Sequence, residues 1–74
     1  MPDLPAVRPR ELIRALERAG FVQTRQSGSH VFLVNRETGA RTTVAVHNRD
    51  LSRPMLLAVL KQTGLSIEEF TRLL

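Results

Sequence analysis

This sequence contains no cysteine, no tryptophan and no tyrosine, and its only aromatic residues are three phenylalanines. Without cysteine there is neither a disulfide framework nor a thiolate zinc site, and a reducing compartment suits the chain. No apolar run approaches the roughly 20 residues that a membrane-spanning helix requires. The opening Met1-Pro2-Asp3-Leu4-Pro5 does not have the basic-then-apolar layout of a secretory leader. Lysine is nearly absent too, since ten of the eleven basic residues are arginine and Lys61 is the exception. The expectation is a cytoplasmic protein with no membrane association.

What is present amounts to one small domain. The chain has 74 residues, 42% of them hydrophobic, and a formal net charge of +4. A domain of this size buries only about 60% of the surface its unfolded chain exposes, so its core is thin. Nine basic and five acidic residues lie at or before Arg53, against two and two beyond it. Positive charge concentrated in this way favours a polyanionic partner, and the planar arginine fork matches phosphate oxygens. An arginine-rich genome would explain the Arg/Lys ratio equally well, so the argument rests on placement rather than on residue type.

Residues 1–8 read as a lead-in and residues 9–74 as one domain. Pro9 suits the first turn of a helix, and Leu12, Ile13, Leu16 and Ala19 recur at helical spacing before Gly20, which predicts a helix over 9–19. The run 21–26 reads as a strand, Ser27-Gly28-Ser29 as a turn, and 30–34 as the most strand-prone segment. Turn residues fill 35–40, and Thr42, Val44 and Val46 alternate along a third strand at 41–46. Two tight connections between three neighbouring strands predict an antiparallel meander. Ser52 and Pro54 then open a second helix that ends at Gly64, with Leu56, Leu57, Val59 and Leu60 as its apolar face. Ser66 and Glu69 form a capping box, with Leu65 and Phe70 at the staple positions. This starts a third helix that should turn Phe70, Leu73 and Leu74 inward. The fold class is therefore α+β, ordered α-β-β-β-α-α, with the helices packed on one face of the sheet and the other face open.

Only two histidines are available for proton transfer, His30 and His47, and histidine is the side chain whose charge changes near neutral pH. His30 follows Gly28 and Ser29 at the mouth of a strand. The backbone N–H groups of such a turn can receive a phosphate, and Arg25 stands on the preceding strand. The plain alternative is a half-buried strand-end histidine with a satisfied hydrogen bond, and for His47 a capping or surface role. Arg49 and Arg53 flank Ser52 at a helix start, a place that favours phosphate; the alternative is a solvated polar loop. No metal is expected: there is no cysteine and no HExxH or comparable spacing, and Asp50, three residues from His47, is a weak signal. Ser27 and Ser29 have no base and orienter that would make them nucleophiles.

Taken together and in order, several segments resemble one family. They are Leu12-Ile13 with Leu16, Ala19-Gly20-Phe21, Gly28-Ser29-His30, Val44-Ala45-Val46-His47, and Val59-Leu60-Lys61-Gln62-Thr63-Gly64-Leu65-Ser66 with Glu69-Phe70. From residue 9 onward the chain is similar to the HicA toxins of bacterial and archaeal toxin–antitoxin pairs. The resemblance implies a fold like that of a double-stranded-RNA-binding domain and ribosome-independent cleavage of mRNA without a cofactor. It also implies His30 as the catalytic histidine and neutralisation by a HicB-type antitoxin. Two positions depart from the family's pattern: Ala45 stands where a proline is usual, and Asn48-Arg49-Asp50 where a glycine is frequent. Arg25, Gly28, Ser29, Arg49 and Arg53 are the expected RNA contacts, and an antitoxin is expected to cover His30. A non-catalytic RNA-binding module and a protein-binding adaptor are the competing readings.

Overall fold

The computed structural model describes residues 4–74. Its elements are α1 (Pro9–Arg18), β1 (Val22–Ser27), β2 (His30–Val34), β3 (Arg41–Ala45), α2 (Arg53–Thr63) and α3 (Ile67–Leu73). The strands form one antiparallel sheet in the order β1-β2-β3. The expected α+β layout is the observed one.

Local chemistry sets the helix ends. Pro9 opens α1, and the Glu11 carboxylate accepts the Arg8 backbone N–H at 2.9 Å, which places an anion against the helix start. The helix ends one residue before the expected 19, and Gly20 turns the chain at φ +100°. The Ser52 hydroxyl accepts the Met55 N–H at 3.3 Å to start α2, which stops at Gly64 in the left-handed conformation. The capping box of α3 forms in both directions: Glu69 N–H donates to Ser66 Oγ at 3.0 Å, and Ser66 N–H donates to Glu69 Oε1 at 3.1 Å.

The core lies between the helices and one face of β2 and β3. Val31, Leu33, Thr42 and Val44 point into it, where Leu12, Ile13, Leu16, Leu56, Val59, Leu60 and Phe70 meet them. Each such side chain stabilises the fold by roughly 1.5–3 kcal/mol relative to exposure. Thr42 is reconciled with this setting by donating its hydroxyl to Gln62 Oε1 at 2.7 Å. A second long-range tie joins the end of α1 to the end of α3, where Arg18 Nη1 donates to the Leu73 carbonyl at 2.6 Å.

Several expectations need correction. Phe21 is not a strand residue; it is buried in the turn that precedes β1, its N–H donating to Leu16 O at 3.0 Å. Ser27 belongs to β1, which leaves Gly28 and Ser29 as a two-residue hairpin turn. Leu57 is 38% exposed, because one residue beyond Leu56 lies about 100° around the helix from the buried stripe; Thr63 takes the inward place instead. Leu74 is 45% exposed, so only Phe70 of the last helix is fully buried. The lead-in is not loose where it meets α1. Val7 is 1% exposed within the core, and its carbonyl accepts the Leu51 N–H at 2.8 Å. Residues 1–3, the start of the lead-in, lie outside the described residues.

The strand β1 is exposed at every residue. The helices sit beneath β2 and β3 and leave β1 projecting as an edge that is wet on both sides. A bulge at Thr24, where the register slips between Gln23 and Arg25, adds local twist to that edge.

Candidate nucleic-acid interface

Cross-strand partners in an antiparallel sheet share a face, so the register maps the open side of the sheet. One row holds Ser27, His30 and Ala45; the next holds Arg25, Phe32 and Thr43; the third holds Val22, Val34 and Arg41. His30 thus begins β2 on the open face, exposed, with Arg25 as its diagonal neighbour. The half-buried, hydrogen-bonded alternative does not describe it, since among the described residues no protein hydrogen bond reaches its ring.

Rigid chain surrounds this exposed imidazole. Val31 behind it is buried, and the Ser29 carbonyl on its other side accepts the Val46 N–H at 2.7 Å. Gly28 makes the hairpin at φ +57°, with nothing within 4 Å of the place a Cβ would take. That turn type uses glycine at its first central position, and here the glycine also leaves space beside the histidine. Gln26 Nε2 donates to the Gly28 carbonyl at 3.1 Å and braces the turn.

The Arg25 guanidinium lies 4.6 Å from the centroid of the Phe32 ring, a cation–π contact. The contact holds the cation over the Phe32 ring in the row next to His30, and Arg25 is exposed to solvent. Nothing in the sequence pattern announced this pair. The only available signal was that an arginine on one strand and a phenylalanine on the next fall opposite each other when the hairpin is tight.

The remaining expected contacts divide. Ser29 and Gly28 adjoin His30. Arg49 lines a hollow beside the β3 edge with Ala45, His47, Asp50, Ser52 and Met55. Arg53 is exposed at the first position of α2, and among the described residues no hydrogen bond or ion pair joins it to the others. Among the described residues one ion pair forms, Arg8 Nε to Asp50 Oδ1 at 3.3 Å, with both side chains more than half exposed. Arg25, Arg36, Arg41, Arg49 and Arg53 are left without a carboxylate partner there. Two features went unread in the sequence. A groove of about 880 Å³ runs from Phe32 and Thr43 past Arg36 and Arg41 to Met55 and Gln62 of α2. On the helix side, Arg10 and Arg14 of α1 line a small hollow together with Gln23 and Gln26 of β1. No group of three or more potential metal-binding side chains occurs among the described residues, and no helix there is long and apolar enough to cross a membrane.

Fold and face together define a small basic α+β domain that offers an open sheet surface with an exposed histidine. The family model described as the HicA toxin of bacterial toxin–antitoxin systems matches residues 9–65, which is most of the chain. This protein belongs to the HicA toxin family, and such a toxin has an antitoxin as its partner. No curated protein matches the chain as a relative.

Proposed function

We propose that the protein is an endoribonuclease toxin that cuts mRNA in the cytoplasm with His30 as a catalytic residue. The observation that carries the reading is His30 itself, an exposed imidazole on a rigid strand beside the stacked Arg25. RNA brings its own nucleophile, the 2′-hydroxyl. An enzyme has to align it with the phosphorus, move protons and stabilise charge on the phosphate. His30 takes or gives a proton; Arg25 and the Gly28-Ser29 backbone hold the phosphate; Arg49 and Arg53 bind flanking phosphates. The outer face of the Arg25 guanidinium can stack against a base, as arginine planes do with unpaired nucleotides.

Each proton-transfer group contributes on the order of 10²–10⁴-fold, so an enzyme that relies on proton transfer without a metal is slow. Slowness is compatible with toxicity, because one cut inactivates a message. A HicB-type antitoxin neutralises it by covering His30, the simplest way to silence a site that is otherwise fully open. The test is induced expression of the wild type beside His30→Ala, following growth and RNA integrity, together with cleavage of labelled RNA in chelator. Growth arrest and cleavage that disappear in the variant support the reading. Binding without cleavage by the wild type would leave an RNA-binding module instead.

A further inference from the structure

The ladder between β2 and β3 continues past the last paired residue of β3. Val46 N–H donates to Ser29 O at 2.7 Å, one step beyond the His30↔Ala45 pair. Val44 is buried and Val46 packs against the core, so strand alternation sends Ala45 and His47 to the other face, the one that bears His30. His47 is therefore the diagonal neighbour of His30 across the strand pair. Diagonal neighbours lie roughly 7–8 Å apart, within reach of each other's side chains. Ala45, the residue paired with His30, carries no more than a methyl group on that face. His47 is exposed, and among the described residues it caps nothing: no protein hydrogen bond reaches its ring. It shares a hollow of about 390 Å³ with Ala45, Arg49 and Asp50.

Cleavage by the 2′-hydroxyl moves two protons. One leaves the 2′-oxygen as it attacks, and one must reach the 5′-oxygen as it departs. In an in-line displacement these oxygens lie on opposite sides of the phosphorus, so a single imidazole cannot serve both at once. Resting on the ribonuclease reading above, we propose that His47 is the second catalytic residue, the general acid that protonates the leaving 5′-oxygen. His30 takes the proton of the 2′-hydroxyl. The 2′-oxygen bonds to phosphorus, the P–O5′ bond breaks with its electron pair on oxygen, and His47 supplies the proton that completes the 5′-hydroxyl. The other product is a 2′,3′-cyclic phosphate, and the step consumes no co-reactant. Arg25 is the diagonal neighbour of His30 on β1, and Arg49 and Asp50 line the hollow that His47 lines, with Asp50 paired to Arg8.

The experiment takes an RNA segment that the wild type cuts, made with oxygen or with sulfur at the bridging 5′ position of the cut bond. Sulfur leaves without needing a proton. Wild type, His47→Ala, His47→Gln and His30→Ala are compared for cleavage across pH, RNA affinity and unfolding midpoint. Both His47 variants should fold and bind RNA as the wild type does. They should cut the oxygen substrate about 10²–10⁴-fold more slowly, lose the alkaline limb of a bell-shaped pH profile, and cut the sulfur substrate at close to the wild-type rate. A loss below tenfold on the oxygen substrate overturns the assignment, and so does an equal loss on both substrates. An inactive His30→Ala beside an unimpaired His47→Ala overturns this assignment alone. A wild type that cuts neither substrate overturns the ribonuclease reading together with it.

Discussion

Replacing Val7 with alanine tests whether the segment before α1 is part of the fold. Val7 is 1% exposed among the core residues, although it precedes the first helix and the part of the chain that matches the family. The substitution removes two carbon atoms from a closed interior. At about 0.8 kcal/mol per buried carbon, plus the cavity left behind, the loss is about 2–3 kcal/mol. A 74-residue domain is stable by roughly 4–11 kcal/mol in total, so the change is large. For a domain of this size it corresponds to a drop of roughly 10–20 °C in the unfolding midpoint. Thermal and urea unfolding followed by circular dichroism measure it. The effect should reach the site as well, since the Val7 carbonyl holds Leu51 at the end of the loop that follows His47. A loss below about 0.5 kcal/mol, the level of an ordinary surface substitution, would refute the assignment of residue 7 to the core.

Three further perturbations address the interface and the C-terminal helix. Arg25→Ala should weaken RNA binding and reduce the steepness of its salt dependence by about one unit of log K against log salt, as the loss of one phosphate contact would; equal slopes in filter-binding titrations would contradict a phosphate role. Ser66→Ala should cost about 0.5–2 kcal/mol in urea unfolding. The backbone N–H of Ser66, then its hydroxyl, then Arg72 hold the Glu69 carboxyl below its ordinary range. A depressed carboxylate stabilises the fold above its unfolded pKa and loses that contribution as pH falls through the folded one. Acid should therefore weaken the wild type slightly more than a Glu69→Gln variant, and parallel stability curves between pH 5 and pH 2 would contradict this.

Much of the fold was legible because local chemistry and global packing agree. Val31, Leu33, Val44 and Thr42 sit at alternate positions in β-branched runs, and the Ser66–Glu69 box announces its helix in four residues. Val7 was hidden because a lone valine among prolines has no period; it is buried within the core cluster, and its carbonyl is tied to Leu51, too far along the chain for a local window to detect. β1 was read as an ordinary strand, although Val22-Gln23-Thr24-Arg25-Gln26-Ser27 is polar on both faces. That composition suits an edge that no helix covers. For the site, the residue pattern left His30 open between a strand-end histidine and a catalytic one, and its catalytic role is what the resemblance to the HicA toxins implies; the structure shows it exposed at the start of β2. The pairing of Arg25 with Phe32, and of His30 with Ala45, depends on register, which turn length and a bulge set rather than residue type.

Cleavage of labelled RNA by purified wild type and His30→Ala, in chelator and with folding of both checked, bears most directly on the central claim. The account predicts fragments ending in a 2′,3′-cyclic phosphate from the wild type and at least a hundredfold slower cleavage by the variant, in keeping with the loss of one proton-transfer group. Equal rates for the two proteins would contradict it.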